Sequence, residues 1–227
     1  MKGFGFGANT LIILTSDHGF HIGEHFQFGK HTLYEEGTRV PLMVMNPDLK
    51  GQTLSHFEFE SNLLHAKKHL RQPDISIKSP VELLDIFPTV LDAVDLPAIE
   101  NCPAHNTNVP LCTQGKSLVG MKDGAGETFA ISQYPKAEKG LDYKVDPKVW
   151  DIRNMGYSVR SLTMRYTRWV PYDMDTFRPR WRSSAAEEEL YDYASDPQGN
   201  VNVAQDPKYS QKVRKLKRYI RARIGRY

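Results

Sequence analysis

The amino-acid sequence has no long hydrophobic run, no internal repeat and few cysteines. None of its apolar stretches approaches the ~20 residues that a membrane-spanning helix needs, so we expect no membrane span. The opening MKGFGFGANT lacks the apolar core of an export signal, which predicts a cytoplasmic location for the chain as written. The 227 residues are 40% hydrophobic and 25% charged, a balance that excludes wholesale disorder and suits one large domain, or one with a smaller partner.

The only two cysteines, Cys102 and Cys112, lie in the segment CPAHNTNVPLC. Its proline, asparagine and threonine content is typical of a loop. Two thiols in one polar loop suit a local disulfide and therefore an oxidising compartment. Two unrelated free cysteines fit this spacing equally well.

Acidic residues are absent from the last part of the chain, where nine lysines and arginines follow from Lys208 onward. Because the whole chain sums to +3, the first 207 residues carry a net charge of −6. A basic tail can bind nucleic acid. Here, however, apolar residues recur at helical spacing, which predicts a terminal amphipathic helix with a solvated basic face and no nucleic-acid partner; they are Val213, Leu216, Ile220 and Ile224.

Two apolar segments predict strands, and a polar loop separates them. NTLIILTSDHG indicates a buried parallel strand over Thr10–Leu14, and RVPLMVM indicates a second strand over Arg39–Met45. The loop between them holds four of the eight histidines, together with Asp17, Glu24 and Lys30. Since open α/β sheets bind ligands beyond the carboxyl ends of their strands, this position favours a functional site.

The remaining segments outline an α/β portion followed by a smaller one. Residues 46–78 are polar and predict a long surface segment. SPVELLDIFPTVLDAVDLP predicts a helix capped by Ser79, with Pro80 at its first position and Glu82 completing a capping box; Pro88 is expected to break or kink it. The glycine-rich KDGAGE marks a boundary that separates domains 1–124 and 125–227. Beyond it, aromatic and β-branched segments between turns predict a small antiparallel sheet closed by the terminal helix.

The loop residues allow several kinds of chemistry. The side chains of Asp17 and His18 can face one metal ion. A structural explanation fits the pair as well, in which Asp17 caps the next turn and His18 packs nearby. The sequence HIGEH matches the H-x-x-E-H zinc pattern, but that site needs a steady helix and glycines interrupt this segment. Lys30, between a glycine and a histidine, offers a compact positive charge for sulfate or phosphate, or is an ordinary surface lysine.

Together these motifs resemble the sulfatases of the alkaline-phosphatase-like superfamily. The resemblance rests on TSDHGFHIGEHFQFGKH…TRVPLMV and on later stretches in the same order: VELLDIFPTVLDAVDLP, the ten-residue step between the cysteines, SQYP, MGYSVR…RYTRWV and ELYDYASDPQGN. SDHG alone is shared with metal-dependent phosphodiesterases of the superfamily, whereas the ordered series is specific. The implied fold is the C-terminal part of an alkaline-phosphatase-like α/β domain followed by the small antiparallel-sheet subdomain with its terminal helix.

The resemblance implies a role for several residues. Asp17 and His18 match the family's calcium ligands, Lys30 matches the lysine that contacts the substrate sulfate, and Cys102 and Cys112 match a disulfide of a lysosomal member. The implied substrate is the 2-O-sulfate of iduronate in heparan- or dermatan-sulfate-like glycosaminoglycans. Residue chemistry alone favours zinc, because calcium prefers oxygen ligands and imidazole suits zinc better; the resemblance favours calcium. It assigns no role to His21, His25 or His31, and structural histidines are the better expectation.

One family feature is missing. Sulfatases convert a cysteine in a C-x-P-x-R context into a formylglycine nucleophile, and neither Cys102 nor Cys112 has that context. The formylglycine, the remaining metal carboxylates and the general acid would lie in an N-terminal half, which is the expected partner. We therefore expect an incomplete sulfatase that is inactive alone. The alternatives are a metal-dependent phosphodiesterase or phosphatase relative, and a non-catalytic remnant or binding module.

Overall fold

A computed structural model describes residues 10–45, 53–56, 75–103, 109–122, 128–137 and 152–224. The chain separates into two compact units. The first contains Met1–Gly19, Arg39–Cys102 and Val109–Gly126, and the second contains Phe20–Thr38, Pro103–Asn108 and Glu127–Tyr227. In the described ranges, no helix has both the length and the apolar character needed to cross a bilayer.

The secondary structure is mixed. In chain order the strands are β1 (Ile12–Thr15), β2 (His21–Ile22), β3 (Phe28–Gly29), β4 (Leu42–Met45), β5 (Thr53–His56), β6 (Ile75–Ser76), β7 (Ala130–Ala137), β8 (Ile152–Arg160), β9 (Met164–Asp173), β10 (Arg178–Pro179) and β11 (Glu187–Asp192). The helices are α1 (Glu35–Thr38), α2 (Ile86–Ala93) and α3 (Ser210–Ile224). Short 3-10 turns cover Glu24–Phe26, Leu83–Asp85 and Pro207–Tyr209.

The first unit contains a sheet of order β1-β4-β5-β6. β1 pairs with β4 in antiparallel register, with Ile12 opposite Met45 and Thr15 opposite Leu42. The predicted strand is present, but the expectation of a buried parallel strand is wrong: its described neighbour is antiparallel, and Leu14 is 55% exposed. A continuous apolar run indicates that both faces of a strand can be covered by other parts of the protein. It does not indicate whether the neighbouring strand is parallel or antiparallel.

Two described parts of the segment after β4 form strands. Its described parts, β5 and β6, extend the sheet, since β5 pairs antiparallel with β4 and parallel with β6. The pairing of these two strands does not test the prediction of a surface segment over 46–78, and most of that segment lies outside the described residues. Backbone hydrogen bonds to β4 allow a polar sequence to join a sheet without an apolar pattern of its own.

The helix predicted from Ser79 begins later. Glu82 is the N-cap of the 3-10 turn, and its backbone N–H donates to Oδ2 of Asp85 at 2.9 Å in a capping box. The prediction that Ser79 is the cap is wrong, because the reciprocal Glu82–Asp85 pair satisfies the first free amides instead. The predicted break at Pro88 is also wrong. Pro88 lies in the first turn of α2, where its missing N–H removes no intrahelical hydrogen bond.

The second unit contains the predicted antiparallel sheet and terminal helix. β9 pairs antiparallel with β8, β10 and β11, and β7 pairs antiparallel with β8. Apolar side chains on one side of α3 pack into the main core with residues of the sheet; they include Val213, Leu216 and Ile220 from the helix and Val159, Tyr166 and Leu190 from the strands. Ile224, the fourth predicted position, is partly buried against the same core. Burial of this apolar face stabilises α3, whereas its many positive charges do not favour the helix.

Candidate functional site

Asp17 and His18 follow the end of β1 directly, as the sequence predicts. The hydroxyl of Ser16 donates to the carbonyl of His18 at 2.9 Å, and the backbone N–H of His18 donates to Oδ1 of Asp17 at 3.1 Å. These bonds close a tight turn after Thr15, the last residue of the strand. The turn holds the two side chains next to each other in irregular backbone.

The ring nitrogens of His18 have different partners. Nδ1 lies 2.9 Å from the carbonyl oxygen of Gly19, and because a carbonyl only accepts, Nδ1 bears the proton. Nε2 lies 3.3 Å from Oδ2 of Asp17. An imidazole whose Nδ1–H is bonded to a carbonyl presents Nε2 as a metal ligand. The nitrogen and the carboxylate oxygen thus converge, and the Asp17 side chain is 82% exposed.

This pair fits part of a divalent-cation site. Calcium takes 6–8 oxygen-rich ligands, and zinc takes about four. Within the ranges that the structure describes, no group of three or more histidine, cysteine, aspartate or glutamate side chains is placed to hold a metal ion. Asp17 and His18 thus offer one carboxylate oxygen and one ring nitrogen that a single cation could share.

Lys30 belongs to the second unit, whereas Asp17 and His18 belong to the first. It is exposed and follows Gly29, the last residue of β3. Its carbonyl accepts from the backbone N–H of Thr32 at 2.9 Å. Gly37 of α1 lies against this turn, since a Cβ there would approach Oγ1 of Thr32 to 2.8 Å and the carbonyl oxygen of Lys30 to 3.3 Å. The backbone of Lys30 is thus held while its side chain reaches solvent.

His21 fixes the segment that leads to Lys30. Its side chain is fully buried, with Nδ1 3.3 Å from the carbonyl oxygen of Glu24 and Nε2 2.7 Å from Oγ1 of Thr32. Both ring nitrogens are therefore engaged within the protein. The H-x-x-E-H segment is not a helix: it runs from β2 through Gly23, with φ 136°, into a 3-10 turn. The helical zinc geometry that this pattern requires is absent from the segment.

His25 and His31 also have aromatic contacts. The ring of His25 stacks on Tyr34 with centroids 4.1 Å apart and planes at 9°, and its Nε2 lies 3.5 Å from Oε2 of Glu36. The ring of His31 lies 5.7 Å from that of Tyr134 in β7. These contacts agree with the structural role expected for the histidines that the sequence resemblance leaves unassigned.

Sequence analysis missed the ion-pair cluster that anchors this segment. Oε2 of Glu35 lies 2.8 Å from Nε of Arg160 and 2.6 Å from a terminal nitrogen of Arg165. Burial opposes ionisation of Glu35, but the hydrogen bonds and charges of the two arginines prevail and lower its pKa to about 2. The partners are 125 and 130 residues apart in sequence, so no local pattern reveals them.

The cysteine loop of the first unit is closed by the disulfide that the resemblance implies. Cys102 and Cys112 are bonded to each other, with Cα atoms 4.8 Å apart. The backbone N–H of Cys102 donates to the carbonyl of Thr113 at 2.9 Å, and that of Thr113 donates to the carbonyl of Glu100 at 3.0 Å. Backbone hydrogen bonds thus join the two ends of the loop in addition to the disulfide.

The chain is similar in sequence to known sulfatases. The sulfatase family model matches residues 5–96. The chain is 32% identical to iduronate 2-sulfatase of Mus musculus, over 92% of this chain and 41% of the relative. It is 26% identical to delta 4,5-hexuronate-2-O-sulfatase of Bacteroides thetaiotaomicron, over 90% of this chain and 32% of the relative. It thus spans about two fifths or less of these relatives' length.

The fold has solved counterparts. The crystal structure of phosphonate monoester hydrolase of Agrobacterium radiobacter superposes with a TM-score of 0.65 at 19% identity, over 98% of this chain and 36% of that one. At this identity the similarity concerns the fold alone, and it agrees with the alkaline-phosphatase-like α/β architecture predicted from the sequence. By sequence, residues 5–96 are sulfatase-like, and the chain is related to iduronate 2-sulfatase over most of its own length.

Proposed function

We propose that this chain is the C-terminal part of a sulfatase that hydrolyses the 2-O-sulfate of iduronate in glycosaminoglycans. The observation that carries the proposal is the convergence of His18 Nε2 and Asp17 Oδ2 at the end of β1, in a chain of the sulfatase family. The names of both relatives above support the position of the ester, since each denotes a uronate 2-O-sulfatase. The partner is an N-terminal sulfatase half.

In this proposal Asp17 and His18 hold one divalent cation, calcium by the family resemblance. The Gly19 carbonyl keeps the proton on Nδ1 of His18, so that Nε2 offers its lone pair to the cation. When bound, the cation polarises the sulfate oxygens as a Lewis acid. The remaining ligands belong to the N-terminal half.

Lys30 binds a sulfate oxygen of the substrate. Its ammonium group donates hydrogen bonds to the oxygen and offsets the negative charge of the sulfate as the sulfur–oxygen bond breaks. The His21–Thr32 bond and the Glu35–arginine cluster hold the segment on either side of it, which limits the entropy lost when the contact forms.

The nucleophile of the reaction is the formylglycine of the N-terminal half, because no cysteine of this chain has the C-x-P-x-R context. We therefore propose that the chain alone is inactive. The Cys102–Cys112 disulfide supports folding in an oxidising compartment and, with the family resemblance, a lysosomal location.

The test compares the chain alone with the chain co-expressed with a sulfatase N-terminal half that bears C-x-P-x-R. Release of inorganic sulfate from 2-O-sulfated iduronate oligosaccharides is measured for both. We expect turnover only from the combined halves. A phosphate diester serves as the second substrate, since hydrolysis of the diester without the sulfate ester would favour the phosphodiesterase alternative. Turnover of sulfate by the chain alone would contradict the proposal.

A further inference from the structure

The terminal helix α3 presents an exposed row of arginines on the side opposite its buried face. Val213, Leu216 and Ile220 lie in the core of the second unit. Residues spaced by three or four positions share a helix face, and a second set with this spacing is exposed: Arg214, Arg218 and Arg221, here called the basic stripe. The Cα atoms at its two ends are about 10 Å apart along the helix axis.

Within the described ranges, the charges of the basic stripe are not neutralised by carboxylates. Among the described residues, no carboxylate forms an ion pair with any of the three arginines. Lys217, which faces the sheet, differs because its ammonium nitrogen lies 2.5 Å from Oε1 of Glu188. Acidic residues are absent from position 208 onward, although the first 207 residues have a net charge of −6. The helix therefore bears adjacent like charges that oppose its own formation.

Binding of a polyanionic partner explains why α3 carries like charges that weaken the helix. Arginine forms paired hydrogen bonds with the oxygens of sulfate and phosphate groups. A membrane surface is a poor partner, because such helices insert an apolar face and that of α3 is already buried in the core. Single-stranded nucleic acid is also a poor partner, because its bases stack on aromatic side chains and no stripe position is aromatic.

We propose that the basic stripe binds a sulfated polysaccharide chain. This inference rests on the proposed function, which makes a sulfated glycosaminoglycan the polymer that the protein meets. Contacts at the stripe would hold the polymer to the protein between successive cleavage events. Because they involve several unit charges, the binding depends strongly on salt concentration.

The test is equilibrium binding of a fluorescently labelled, heparin-like oligosaccharide to the 227-residue chain over about 50–200 mM salt. The test variant combines Arg214→Gln, Arg218→Gln and Arg221→Gln. The control variant removes three exposed positive charges elsewhere, with Lys116→Gln, Arg178→Gln and Arg182→Gln. Circular dichroism checks that α3 persists in both. A third variant replaces the three stripe arginines with lysine, which keeps the charge and removes the planar donor pair.

We expect the glutamine variant to bind at least tenfold more weakly at about 100 mM salt, with a logarithmic salt slope smaller by about 2 to 3. The control variant should retain binding, and the lysine variant should be intermediate. Equal losses in the glutamine and control variants, or no loss in either, would overturn the proposal. So would equally tight binding of double-stranded DNA or of anionic phospholipid vesicles, because the stripe would then not select sulfated polysaccharide.

Failure of this inference can be separated from failure of the proposed function. Sulfate release by the combined halves with no stripe-dependent binding would contradict only the inference drawn from α3. Stripe-dependent binding with no sulfate release by the combined halves would contradict only the proposed function.

Discussion

A terminal nitrogen of Arg165 lies 2.6 Å from Oε2 of Glu35, and the side chain of Arg165 is only 3% exposed. This bond joins α1, which follows the Lys30 turn, to the central strand β9 of the antiparallel sheet. Arg160 of β8 contacts the same carboxylate. Two arginines and one carboxylate thus fix the segment that bears the proposed sulfate contact.

The Glu35 cluster predicts acid-dependent stability. The folded pKa of Glu35, about 2, lies below its ordinary value of 4.5, so the stabilisation is fully present above pH 4.5 and is lost as pH falls through about 2. The shift corresponds to at most about 3 kcal/mol. Glu35→Gln should remove this pH dependence and leave Arg165 buried without its charged partner, a change that costs about 3–5 kcal/mol. Urea unfolding between these pH values measures both effects.

Glu187→Gln is the matched control for that experiment, because Glu187 is an exposed glutamate of the same sheet. It should change the free energy of unfolding by less than about 0.5 kcal/mol. If the Glu35 and Glu187 variants had the same pH profile, the cluster would not stabilise the unit.

Thr32 and His21 give a second stability prediction. Thr32→Val removes the hydroxyl that lies 2.7 Å from Nε2 of the fully buried His21. Because Nε2 of the buried His21 then has no hydrogen-bond partner at this position, the free energy of unfolding should fall by about 1–3 kcal/mol. Thr32→Ser retains the hydroxyl and should lose less, although it also removes a methyl group. Equal losses in the two variants, measured by urea unfolding, would show that the hydrogen bond has no role.

The cysteine pair predicts a redox effect. When the protein is made in a secretory compartment, a non-reduced digest should contain one peptide pair linked through Cys102 and Cys112. Replacing both with serine should lower the free energy of unfolding by about 3 kcal/mol, the chain-entropy value for so short a loop. Dithiothreitol should destabilise the wild type to a similar extent and leave the double variant unchanged. Mass spectrometry that finds two free thiols in secreted protein would contradict the lysosomal proposal.

The sequence predicted features that depend on local pattern. The amphipathic spacing of Val213, Leu216 and Ile220 located α3, and the alternation of strands and turns located the second sheet. The polar loop after β1 followed from an apolar run that ends at Leu14, three residues before Asp17. Each of these features is encoded within a few turns of helix or residues of strand.

Features that depend on distant or reciprocal contacts were not predicted. The start of the helix at Glu82 depends on which of several capping residues finds a partner, and Asp85 decides it through its side chain. The direction of β1 depends on which strand lies beside it. The Glu35–Arg165 bond joins residues 130 positions apart. Local propensity contains no information on any of these choices.

Asp17→Asn and Lys30→Ala should lower the activity of the enzyme assembled from both halves in different ways. Asp17 is proposed to bind the cation, whereas Lys30 is proposed to bind the sulfate. Asp17→Asn should lower metal affinity, and excess calcium should restore part of the activity by mass action. Lys30→Ala should leave metal content unchanged. Its charge-assisted contact is worth about 1.5–3 kcal/mol, so kcat/KM should fall about ten- to hundredfold. Lys116→Ala, at an exposed lysine of the first unit, is the control and should have wild-type kinetics.

The most direct test of the central claim is the metal content and kcat/KM of Asp17→Asn in that assembled enzyme, measured with and without added calcium. The account predicts reduced bound calcium, reduced sulfate release and partial recovery of activity when calcium is in excess. Full metal content together with a full rate of sulfate release would contradict it, because the pair at the end of β1 would then hold no cation.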